Sequence, residues 1–88
     1  MKLGIITGMI VSTRKNEKLT GQKLLVTQPV KPDGTAEGEK LIAVDTVGAG
    51  VGETVLYLTG SAAGRAFINE EMPVDAAIIG IVDKISDN

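Results

Sequence analysis

The chain has 88 residues, enough for one domain (1–88) and too few for two with separate cores. It has no cysteine and no histidine, which excludes disulfides, zinc–thiolate sites, thiol catalysis and the commonest general base. Nine basic residues against eleven acidic ones leave a net charge of −2, so no overall field draws the chain toward nucleic acid or an anionic membrane.

The amino terminus, MKLGIITGMIVSTRK, couples a lysine to an apolar stretch. Glycines and a threonine interrupt the stretch and no small-residue cleavage site follows, so a folded strand is the better reading than a secretory signal. Period-2 alternation predicts a strand over Leu3 to Thr13. Leu3, Ile5, Thr7, Met9 and Val11 are expected on the core face, with Gly4, Ile6, Gly8, Ile10 and Ser12 opposite. Arg14 to Lys23 reads as a solvated, charged connector. A second strand runs from Leu24 to Gln28 and stops at Pro29. Lys31-Pro32-Asp33-Gly34 is a turn, with proline presetting φ and glycine supplying a positive one. Further strands are predicted over Lys40 to Val47, Thr54 to Thr59 and Val74 to Ile85. Ser61 to Phe67 is the one helical segment, with Ser61 as its N-cap, and Met72-Pro73 returns the chain to an extended path.

Five strands, one short helix and glycine-rich corners predict an all-β, five-stranded OB-like barrel. Several strands are apolar on both faces, which implies that something covers the outside. Ile6, Ile10 and the run Ala76 to Val82 are therefore expected to meet a neighbouring subunit, the alternative being that the helix covers one side. A small domain without disulfides or a metal also gains stability from association. No stretch approaches the ~20 apolar residues of a membrane-spanning helix, and a soluble cytoplasmic protein is expected.

Glycine-rich Gly48-Ala49-Gly50-Val51-Gly52-Glu53 is the most conspicuous local sequence. A phosphate-binding loop would lead into a helix, whereas this one leads into the strand beginning at Thr54, and it lacks a Lys-Ser/Thr ending. A tight backbone corner is the better reading. Asp45, Glu53, Asp75 and Asp83 lie at strand ends but match no EF-hand or Asp-x-Asp spacing; Asp45 is read as capping a loop or pairing with a lysine. Serines 12, 61 and 86 sit in no nucleophile elbow. Neither an enzyme nor a cofactor or metal site is indicated. The barrel class raises single-stranded nucleic-acid or small-ligand binding as the alternative function. Two aromatics and a net negative charge disfavour the nucleic-acid form, which needs stacking platforms and a positive groove.

Across nearly its whole length the chain resembles the EutN/CcmL family of bacterial microcompartment shell proteins. The resemblance rests on the order and spacing of several segments. They are Met1-Lys2-Leu3-Gly4 with Gly8 and Val11, Leu19 and Gly21, Lys23-Leu24-Leu25-Val26, and Pro32-Asp33-Gly34. Ala43-Val44-Asp45, Val47 to Glu53, Val55-Leu56, Gly60-Ser61, Pro73 to Ala76 and Ile79 to Asp83 complete the series. It implies a barrel assembled into a cyclic homopentamer, favoured over a hexamer, at the fivefold points of a shell tiled by hexameric proteins. A flat hexagonal sheet cannot close, and a fivefold wedge at each corner supplies the curvature. On this reading Gly48, Gly50 and Gly52 permit close approach at a subunit contact, and Glu53 holds that corner. Ile79, Ile81 and Val82 serve the core or the neighbouring subunit. Many family members carry Ser-Ala-Arg after Gly-Ser, whereas this chain has Ser61-Ala62-Ala63-Gly64-Arg65, so Arg65 stands one position later. The last residue, Asn88, follows the last strand closely, which puts in doubt any strand exchange that needs a longer tail. Carbon fixation, ethanolamine, propanediol and glycyl-radical metabolism all use shells of this kind, and the sequence does not choose among them.

Overall fold

The computed structural model describes residues 1–13, 15–66 and 74–87; Arg14, Phe67, the Met72-Pro73 pair and Asn88 lie outside the described residues. Five strands, β1 (Lys2–Ile10), β2 (Leu24–Pro29), β3 (Leu41–Asp45), β4 (Thr54–Thr59) and β5 (Ala76–Val82), close into a barrel in the order β1-β2-β3-β5-β4. All neighbours are antiparallel except β3 and β5, which run parallel and pair only at Val44 with Ala77 and Asp45 with Ile78. One short helix, α1 (Ser61–Gly64), follows β4.

The inward face of β1 is the reverse of the sequence expectation. Gly4 and Ile6 are buried, and a register irregularity between Ile6 and Gly8 shifts the alternation, so that Met9 pairs with Leu25. Ile6, 1% exposed, belongs to this chain's own core and cannot be an outer contact for a neighbour. A period-2 pattern assigns alternate residues to two faces but does not say which face is inside, and a bulge changes the answer midway. Ile6, Leu25, Ala43, Ala49, Val55, Tyr57, Ala76 and Ile78 form the core, with Leu41 packed against them. Tyr57 fits because Gly4 has no side chain: a Cβ there would lie 2.6 Å from Thr27 Cγ2 and 3.1 Å from Tyr57 Cε1.

A second cluster lies outside the barrel, where Ala63 of α1 meets Val44 and Ala77. Leu24, Leu58, Ala66 and Val74 complete it. The helix therefore covers part of the apolar exterior, and Ala76, Ala77 and Ile78 are buried within the chain rather than reserved for a neighbour. Gly60 is the helix N-cap, with φ of +72°, and no side chain caps it. Ser61, expected at the cap, is the first helical residue. The connector after β1 holds one 3-10 turn, Glu17–Leu19, capped by the Asn16 side chain accepting from the Lys18 N–H at 2.9 Å.

Candidate functional site

Residues 46–53 join β3 to β4 at one end of the barrel, and their geometry begins with Asp45. Its Oδ1 accepts from the Val47 N–H at 3.1 Å, and its Oδ2 accepts from the N–H groups of Gly48 and Ala49, each at 3.0 Å. Three donors gathered on one carboxylate bend the chain out of the strand, which is why β3 stops at Asp45 rather than at the expected Val47. The Lys23 ammonium lies 3.5 Å from Asp45 Oδ2 and donates to the Ala49 carbonyl. Asp45 thus both caps the loop and pairs with a lysine, as its position suggested. Its side chain is 4% exposed against 37% for Lys23, so the pair is partly shielded from water and salt.

Ala49 is fully buried and plugs the barrel core beneath the corner. Beyond it the Glu53 carboxylate accepts from the Gly50 N–H at 2.7 Å, and the Glu53 N–H donates to the Gly50 carbonyl at 3.1 Å. Two backbone bonds stitch the corner to β1: Gly52 N–H to the Ile6 carbonyl at 2.8 Å, and Ile6 N–H to the Glu53 carbonyl at 3.0 Å. Glu53 thus ties the corner together within the chain.

The three glycines are not equivalent. Gly48 and Gly52 have φ of +81° and +93°, a region that side chains with a Cβ disfavour, although a Cβ at either would touch nothing. Gly50 has no positive φ, and a Cβ there would lie 3.5 Å from Glu53 Oε1, an ordinary contact. Among the described residues nothing requires glycine at position 50. Val47 and Val51 flank it, 39% and 63% exposed.

This arrangement suits neither anion binding nor metal chemistry. The N–H groups of Val47, Gly48, Ala49 and Gly50 point at the carboxylates of Asp45 and Glu53, so the concavity already holds its negative charges. Among the described residues no group of three or more acidic side chains could hold a metal ion. Tyr57 is 1% exposed inside the barrel and offers no surface for base stacking.

The other sequence candidates divide by position. Val82 pairs with Thr54 and Ile81 with Val55, which places both beside the corner. Ile81 is 37% exposed, while Ile79 and Val82 are half-buried. Arg65 is exposed at the far end of α1, beyond the opposite end of β4, and is not part of the corner. Sequence reasoning did not identify Lys23 as the lysine that Asp45 selects. The available signal was an Asp followed at i+3 by glycine, a side-chain turn pattern; the lysine, 22 residues earlier, becomes a neighbour only through the β2–β3 pairing.

The family profile described as "Ethanolamine utilisation protein EutN/carboxysome" matches residues 1–83. The bacterial microcompartment shell vertex protein EutN of Escherichia coli K12 is 44% identical over 85 residues, covering 97% of this chain and 90% of that protein. A solved structure of an ethanolamine utilization protein, EutN, superposes with a TM-score of 0.92 at 42% identity, covering 99% of this chain and 91% of the other. The structure described as the GrpN pentameric microcompartment shell protein from Rhodospirillum rubrum gives a TM-score of 0.87 at 42% identity, with 100% and 99% coverage.

Proposed function

This chain belongs to the EutN/CcmL family of bacterial microcompartment shell vertex proteins, and from that premise we propose that residues 1–88 form one vertex domain that closes shell corners as a cyclic homopentamer. It is a structural subunit of the shell in the bacterial cytoplasm and not an enzyme. Its mechanism is geometric: a five-membered ring inserted among hexameric shell proteins removes one sector from a flat hexagonal sheet and forces it to curve.

A cyclic ring needs a head-to-tail interface in which two different surfaces of the same chain meet. The observation that carries the reading is Gly50: an exposed corner keeps a glycine that the chain's own backbone and packing do not require. A neighbouring backbone passing close to position 50 explains it. Gly48 and Gly52 shape the corner for that approach, and Glu53 fixes Gly50 in place. Ile81 and Val82 beside the corner, with Ile79 on the same strand, supply the apolar contact, as do Val47 and Val51. Arg65, remote from the corner, is assigned to the opposite side of the interface, so that the two surfaces differ.

Native mass spectrometry tests the copy number. Five copies of a 9.1-kDa chain give about 45 kDa, and a monomer or hexamer would overturn the pentamer. Gly50→Val is expected to abolish the ring while leaving the circular dichroism of the folded subunit unchanged. Normal assembly of that variant would remove the corner from the interface. Co-assembly with a hexameric shell protein into closed particles, scored by electron microscopy with and without this chain, tests the vertex role.

A further inference from the structure

The end of the barrel opposite the corner is open. Lys2 pairs with Tyr57 three residues along the same ladder that brings Ile5 to Thr54, and the 30–40 loop folds across this end through the Glu37 N–H to Pro29 carbonyl bond and the Val30–Ala36 bridge. Between loop and barrel lies a cavity of about 670 Å³. Its apolar walls include Leu3, Val30, Leu41 and Leu56, and it reaches Tyr57. Its size and apolar lining are those of a small-molecule site, and barrel mouths are a common place for one.

Tyr57 supplies the second observation. The residue is 1% exposed, and its hydroxyl has no hydrogen-bond partner among the described residues. Yet among the described residues no fully buried side-chain oxygen or nitrogen is left unsatisfied, so the phenol oxygen must reach the open space of the mouth. Burial, with the charge of Glu37 adding to it, holds the phenol above its ordinary pKa of 10.0, so it remains protonated and keeps its donor at neutral pH. A nearly buried hydroxyl aimed into an apolar cavity is a donor in search of an acceptor.

The rim decides the ligand's charge. Lys2 and the amino terminus of Met1 contribute two cations, and Glu37 and Glu39 two carboxylates. The balance favours neither an anion nor a cation, and apolar walls penalise both. We propose that the barrel mouth is a binding site for a small uncharged organic molecule, an apolar body carrying one hydrogen-bond acceptor that Tyr57 engages.

The test uses the assembled protein with methyl-labelled Leu, Ile and Val, titrated with tetrahydropyran, an uncharged ring with one ether acceptor, and with cyclohexane as its isostere lacking the oxygen. Saturable shifts are expected at the methyls of Leu3, Val30, Leu41 and Leu56. The ring protons of Tyr57, the chain's single tyrosine, should move with the same midpoint. Tyr57→Phe is expected to weaken tetrahydropyran binding about threefold to tenfold while changing cyclohexane binding less than twofold. Shifts confined to other methyls, no saturation, or unchanged tetrahydropyran binding in Tyr57→Phe would each overturn the proposal. If Tyr57→Phe does not fold, the wild-type midpoints decide: mouth methyls that move while the Tyr57 ring does not would rule out the engagement.

Discussion

At one end of the barrel the loop between β3 and β4 has four N–H groups taken up by the carboxylates of Asp45 and Glu53. At the other end a single phenol hydroxyl opens into an apolar cavity with no partner among the described residues. Both ends lie on the same four-residue ladder between β1 and β4, so their difference is chemical rather than architectural. The corner's polar groups are spent on the fold, and removing a carboxylate leaves its N–H partners without a protein acceptor. The polar group at the mouth contributes nothing to the fold, and removing it should cost little. Stability and recognition are thus separable by end.

The largest expected effect comes from Asp45→Ala. It frees three backbone donors and leaves Lys23 without its carboxylate, and should lower the unfolding free energy by about 3 kcal/mol or more in urea titration. A loss below about 1 kcal/mol would mean that water replaces the carboxylate easily and that the corner is not pinned. Gly4→Val follows, at about 2–3 kcal/mol. The new Cβ meets Thr27 at 2.6 Å, and a β-branched neighbour cannot swing aside. Within the corner itself, Gly48→Ala should cost about 1 kcal/mol through its positive φ, whereas Gly50→Ala should leave the isolated subunit nearly unchanged. Equal losses at both would show that Gly50 is also needed by the subunit.

Tyr57→Phe is expected to change stability at neutral pH least, by less than about 0.5 kcal/mol, because no internal hydrogen bond is lost. Its signature lies at high pH. The folded phenol holds its proton above the unfolded value of 10.0, so stability is unaffected below pH 10.0 and is lost as pH rises through the folded pKa, where burial penalises the phenolate. Alkaline denaturation should therefore lose part of its pH dependence in Tyr57→Phe. An unchanged alkaline limb would indicate that the hydroxyl is already solvated in the native state.

Much of this molecule was legible because the signals were local. Thr54–Thr59 has the bounds its Val, Leu and Tyr content implies, and the turn at Lys31 to Gly34 forms with Gly34 at φ of +90° and its N–H on the Lys31 carbonyl. Strand ends were less legible where a side chain competed for backbone donors, as Asp45 does at the end of β3. The helix start was misplaced by one residue because Gly60, with no side chain to bond, took the cap through its positive φ.

The sequence by itself determined the all-β class, the glycine corner, the lack of histidine or thiol chemistry, and, by the order of its motifs, the family. These depend on residue identity and short spacing. Only the tertiary structure decided which face of β1 is inside, that Lys23 is the lysine Asp45 chooses, that α1 covers Val44 and Ala77, and that Tyr57 opens on a cavity at the mouth. Each of these is a meeting of residues far apart in the chain, set by strand register and barrel closure. A one-residue shift of register reverses every side chain, so no local pattern can carry that information.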